Sequence, residues 1–129
     1  MEENYINIGK INIELFKNIA KDIITDEVIL TRERYLHIIE GHKEDFALYS
    51  NMLSEVLINP DYILKDYKNI NTAMVIKHIN TTNINIILRL AIANDNIHTK
   101  NSIMTLYRIR DKNLIKLQEK NKTMSIVFD

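Results

Sequence analysis

The chain has 129 residues, 17 Lys+Arg against 17 Asp+Glu, 46% apolar residues, two Gly, one Pro and no Cys. This length and apolar fraction fit one soluble globular domain with a core of its own. The lack of cysteine excludes a disulfide scaffold, a thiolate zinc site and a cysteine nucleophile. No basic–apolar–small-residue pattern marks a secretory signal, and no run of about 18 apolar residues suits a bilayer. A cytoplasmic protein with no membrane partner is expected. The neutral total hides a division: residues 1–61 balance at −6 and residues 62–129 at +6. Two readings are open, a dipolar surface without a partner and a basic patch for nucleic acid.

No repeat, low-complexity tract or linker divides the chain, so residues 1–129 form a single domain. Residues 1–30 read as an N-terminal arm, with a short strand at Tyr5–Ile11. A helix-like stripe follows over Glu14–Ile24 (Leu15, Phe16, Ile19, Ala20, Ile23, Ile24), then a short apolar run at Val28–Leu30. Thr31 is placed to cap a helix that Gly41 ends, and a second helix spans about Glu44–Leu57 until Asn59-Pro60 stops it. Beyond Pro60 the texture is that of strands: Asp61–Tyr67, Thr72–Ile79, Ile84–Ala93 and Ser102–Ile109, joined by short polar connections that favour antiparallel pairing. Asp111–Asn121 reads as a terminal helix and Met124–Phe128 as a last strand. The expected class is α+β: N-terminal helices (31–58) packed on an antiparallel meander of about four strands (61–110).

Alternation puts Ile84, Ile86, Leu88, Leu90 and Ile92 on one sheet face, against the helices. The other face carries Asn85, Ile87 and Arg89. If Met104 and Leu106 face the core, Thr105 and Tyr107 share that open face. Arg89 fits either a structural ion pair or a phosphate. On the first helix Arg34 and His37, three residues apart, point the same way, and His42 follows the Gly41 stop. Two imidazoles beside a guanidinium supply a base, an acid and a charge clamp. The competing reading makes His42 a helix-end cap and His37 a half-buried structural residue. His-Glu-x-x-His spacing, a phosphate-binding Gly loop and a Gly-x-Ser-x-Gly elbow are absent, so no metal or cofactor is assigned.

The run Ile24-Thr25-Asp26-Glu27-Val28-Ile29-Leu30-Thr31-Arg32-Glu33-Arg34-Tyr35-Leu36-His37-Ile38, then Gly41-His42, Asn59-Pro60-Asp61-Tyr62-Ile63 and Asn101-Ser102-Ile103-Met104-Thr105, resembles the phage-borne nuclease-like domains of the barnase–EndoU–colicin–RelE superfamily over residues 24–110. The resemblance implies helices on an antiparallel sheet of about four strands, the open face holding the active site. It also implies a toxin-like, metal-independent ribonuclease of phage or prophage origin that uses the ribose 2′-hydroxyl as nucleophile. RNA, often tRNA, would be the substrate, and an immunity or antitoxin protein a partner. It points to His37, His42 and Thr105 as catalytic, with Ser102 beside Thr105; the sheet and helix patterns add Arg34 and Arg89. Tyr107, Arg108, Arg110 and Lys112 would then hold the RNA. The alternative is a non-catalytic phage module that binds RNA or protein on the same fold.

Overall fold

The computed structural model describes residues 4–127, with side chains to Asn121. In chain order the elements are β1 (Tyr5–Lys10), β2 (Glu27–Thr31), α1 (Arg32–Tyr49), α2 (Leu53–Ile58), β3 (Tyr62–Lys65), β4 (Thr72–Ile79), β5 (Thr82–Arg89), β6 (Asn101–Ile109) and α3 (Asp111–Val127). The α+β class holds, but the four-stranded antiparallel meander does not. The sheet has six strands in the order β1-β2-β6-β5-β4-β3 and is mixed. β3 to β6 do pair antiparallel in succession. Two N-terminal strands extend that meander: β1 pairs antiparallel with β2, and β2 runs parallel to β6 at Val28–Asn101 and Ile29–Ser102. Val28, Ile29 and Leu30 are all buried, and a strand buried on both faces belongs inside a sheet.

Two other expectations are corrected. The stripe at Glu14–Ile24 is not an α-helix: only Ile13–Phe16 forms a short 3₁₀ turn, and Asp22 takes a positive φ of 57° that a helix cannot contain. Phe16 and Ala20 still reach the core, and Ile23 bridges to Ile92. Residues 124–127 continue α3 instead of forming a strand, and Phe128 lies outside the described residues. Thr31 caps α1 as expected, its hydroxyl accepting from the Arg34 backbone N–H at 3.2 Å. The break near Gly41 falls one residue later. His42 has φ −139° and ψ 41°, outside the helical region, so α1 is two short helices meeting at a kink.

Residues of the two sheet faces feed two clusters. Ile84, Ile86, Leu88 and Leu90 are fully buried with Ile38 of α1 and Val56 and Leu57 of α2, as the alternation of β5 requires. The opposite face is only partly covered: α3 lays Leu114 and Leu117 against Met74, Ile76, Ile87 and Ile109. Asn121 locks that helix to the sheet edge, its side-chain oxygen accepting from the Lys65 N–H at 2.8 Å. No described side chain covers the part of this face nearer Arg89, which forms the cavity described next.

Candidate active site

A bulge in β6 fixes what this cavity presents. Ile87 pairs with Thr105 but the next residue, Leu88, pairs with Ile103, so Met104 is the extra residue. The insertion turns Met104 and Thr105 both toward the open face, while Ile103 and Leu106 stay in the core. The expectation that Met104 faces the core therefore fails, although Thr105 and Tyr107 do share the open face with Arg89. β2 pairs with β6 only near its start, and α1 packs alongside the rest of that strand. This brings the first turns of α1 over the rim of the sheet.

The resulting cavity has a volume of about 600 Å³. Arg34 and His37 from α1, Arg89 from β5, and Thr105 and Tyr107 from β6 all line it. Thr72, Met74 and Ile87 complete the floor, and Lys65–Ile70 with Leu117, Lys120 and Asn121 form the far side. The lining carries five Lys and Arg side chains, Arg34, Lys65, Lys68, Arg89 and Lys120, against one carboxylate, Asp66. That carboxylate is occupied within its loop, accepting from the Lys68 N–H at 2.9 Å and from the Asn69 amide at 3.0 Å. The cavity lining is thus predominantly cationic.

Individual groups are poised differently. Arg89 is half-buried; it donates to the Leu90 carbonyl and stands 3.6 Å from Asp95, which leaves guanidinium N–H groups over for a ligand. The Thr105 hydroxyl oxygen is buried and has no hydrogen-bond partner among the described residues. The Asn85 amide, fully buried under the same face, is equally unpartnered among them. Burial pushes the Tyr107 phenol above its ordinary pKa and keeps it neutral; the Asn85 amide is near enough to pull the other way, though not in hydrogen-bonding geometry. His37 is exposed at the cavity rim.

His42 does not line the cavity. From the kink its ring stacks on Tyr107, with centroids 5.5 Å apart and planes at 29°, so it touches a lining residue without lining the cavity itself. Ser102 lies across from Arg89 in the β5–β6 register, beside the cavity and not in its lining. Arg108 is taken up by α1: its Nε donates to Asp45 at 2.6 Å, its backbone N–H to the other Asp45 oxygen, and its Nη2 to Glu44. Arg110 and Lys112 are exposed at the start of α3, outside the cavity. The sequence pattern alone did not single out Lys65, Tyr67, Lys68 and Lys120. Lys65-Asp66-Tyr67-Lys68 is a basic–aromatic interleave at a strand end, the kind of signal that marks nucleic-acid contact.

Among the described residues no three His, Asp or Glu side chains cluster to hold a metal ion. No described helix is long and apolar enough to cross a membrane. No curated protein and no solved structure matches the chain. One protein family does, over residues 6–124, a span that takes in β2, α1, the whole meander and most of α3, and with them every wall of the cavity. The chain belongs to the family of phage Barnase–EndoU–ColicinE5/D–RelE-like nucleases, second group.

Proposed function

We propose that the protein is an endoribonuclease that cleaves RNA by attack of the ribose 2′-hydroxyl, without a metal ion, in the cavity over β4, β5 and β6. The observation that carries this is the gathering of a rim imidazole, two guanidinium groups and a phenol around one predominantly cationic cavity in a nuclease family member. His37 accepts the 2′-hydroxyl proton as the 2′-oxygen bonds to phosphorus. Arg34 and Arg89 neutralise the extra charge on the pentacovalent phosphate, and the Thr105 hydroxyl donates to one of its oxygens. The P–O5′ bond breaks, and the leaving oxygen takes a proton from Tyr107, which burial keeps protonated. The products are a 2′,3′-cyclic phosphate and a 5′-hydroxyl. His42 holds the Tyr107 ring and takes no part in proton transfer, unlike the histidine pair expected from sequence.

Incubating the purified protein with RNA in excess EDTA tests this reading. The expected products carry 2′,3′-cyclic phosphate ends, and RNA whose riboses are 2′-O-methylated stays intact. Cleavage that requires a divalent ion, or that leaves 5′-phosphate ends, contradicts it. Binding of RNA with no cleavage under either condition would favour the non-catalytic module on the same fold.

A further inference from the structure

We infer that Asn85 is a positioning residue for Tyr107: its buried side-chain amide donates to the phenol oxygen as that oxygen gives up its proton. This rests on the reading of Tyr107 as the acid of the cleavage, and adds the group that lets a half-buried phenol act as one.

Asn85 is unexpected in the core. Its side chain is fully buried, yet neither its amide nitrogen nor its oxygen has a hydrogen-bond partner among the described residues. Leaving such a group unpaired is costly, and Val or Ile would suit a buried strand position better. Asn83, two residues earlier on the same face, makes the contrast. It is also buried, but its amide donates to Asp111 at 2.7 Å and to the Ile109 carbonyl at 3.2 Å. Its oxygen pairs with His78 Nδ1 at 2.8 Å. The fold accounts for Asn83 and not for Asn85.

The strand register names the group that Asn85 can serve. On its face Asn85 stands opposite Ile76 of β4 and Tyr107 of β6, with Asn83 and Ile87 two residues away along β5. Ile76 and Ile87 carry no polar side-chain atom and Asn83 is committed elsewhere. Among these neighbours the Tyr107 hydroxyl is the partner left. His42 stacks on the Tyr107 ring from α1 and so restricts where that hydroxyl can go. Asn85 is not part of the cavity lining, so it addresses the phenol from the buried side.

A neutral phenol needs little from this amide. When the hydroxyl proton passes to the leaving 5′-oxygen, the O–H electron pair stays behind as a phenolate that burial disfavours. An amide N–H aimed at that oxygen stabilises the anion, and a contact that is long in the resting protein tightens as charge develops. Burial raises the Tyr107 pKa and the Asn85 amide opposes it.

The test is 19F NMR titration of the full chain labelled with 3-fluorotyrosine, which ionises at lower pH than tyrosine. The Tyr107 resonance is the one lost in Y107F. In N85L, Tyr107 should ionise at higher pH; at the wild-type midpoint its phenolate-to-phenol ratio should fall roughly tenfold, about the worth of one hydrogen bond to a charged group. The smaller N85V replacement should act in the same direction. The charged and titratable groups around Tyr107 are His42 on its ring, Arg34 and His37 of α1, Arg89 of β5, Lys120 of α3 and, at the end of β3, Lys65, Asp66 and Lys68. Neither replacement alters them, so the shift reports the amide. In unsubstituted protein the Asn85 side-chain amide protons should move as Tyr107 ionises. Folded N85L or N85V in which Tyr107 titrates at or below the wild-type pH overturns the inference, as does a wild-type Asn85 amide that ignores the titration. A packing role alone would change the melting temperature and leave the titration where it was. No RNA enters this measurement, so failure of the nuclease reading appears separately, as an Asn85-dependent titration in a protein that does not cleave RNA.

Discussion

Replacing Thr105 with Val separates what the site needs from what the fold needs. The Thr105 hydroxyl oxygen is buried at the edge of the cavity without a hydrogen-bond partner among the described residues, and an unsatisfied buried polar group costs about 1–3 kcal/mol. Val has nearly the same shape, so the replacement opens no void and removes that cost. Taking the lower bound of about 1 kcal/mol, and an unfolding entropy near 2.1 cal/mol/K per residue, the 129 residues give a Tm rise of about 4 °C. Thr105→Ser, which keeps the hydroxyl and removes the methyl, should instead lower Tm. Calorimetry on the three proteins measures both shifts, and single-turnover RNA cleavage should show Thr105→Val the slower enzyme despite its greater stability. A Thr105→Val protein that melts below wild type would show that the hydroxyl is satisfied in the fold, and would remove the reason to give it to a phosphate.

Arg89→Ala should lower kcat/KM for RNA by roughly 10²–10³, the usual worth of one fixed donor to a developing anion, and Arg89→Lys should restore only part of it because the ammonium lacks the fork of donors. Arg108→Gln should lower thermal stability by freeing Asp45 and Glu44 of α1, yet leave oligonucleotide affinity unchanged; a selective fall in affinity would return Arg108 to the RNA interface. The hydrogen bond and charge of Lys100, 2.8 Å away, hold the Glu27 carboxyl below its ordinary pKa. That pair's contribution is therefore whole above the ordinary carboxylate range and is lost as pH falls through the folded-state value. Glu27→Gln should flatten this acid limb in denaturation curves taken against pH, and an unchanged limb would assign it to other carboxylates.

Local signals in the sequence located most of the helices and strands, and they failed where tertiary pairing decides. The Thr31 cap, the Asn59-Pro60 stop and the apolar face of β5 are each set by neighbours within a few residues, so they are readable from the chain alone. Val28–Leu30 became an inner strand only because β6 returns some 70 residues later to lie parallel to it. The stripe at Glu14–Ile24 has helical spacing, but Phe16 and Ala20 reach the core from non-α-helical chain, Ile23 bridges to Ile92, and Leu15 and Ile24 stay exposed. Arg34, His37, Arg89, Thr105 and Tyr107 lie in one cavity because i,i+3 spacing and strand alternation both survive into the fold. His42 does not join them, since the kink at that residue redirects its side chain onto Tyr107. Of the basic stripe Lys112, Lys116 and Lys120, spaced four apart on α3, only the last reaches the cavity. Which one does so depends on where Asn121 docks on β3, a pairing separated by 56 positions.

The most direct test of the catalytic account is the single-turnover rate of RNA cleavage in EDTA by His37→Ala beside His98→Ala. Both histidines are exposed, His37 at the cavity rim and His98 in the loop before β6, so neither change should disturb folding, which circular dichroism can verify. Removing the base should slow His37→Ala by roughly 10² to 10⁴, while His98→Ala cuts at the wild-type rate. A His37→Ala protein that cleaves as fast as wild type would contradict the placement of the active site at this cavity's rim.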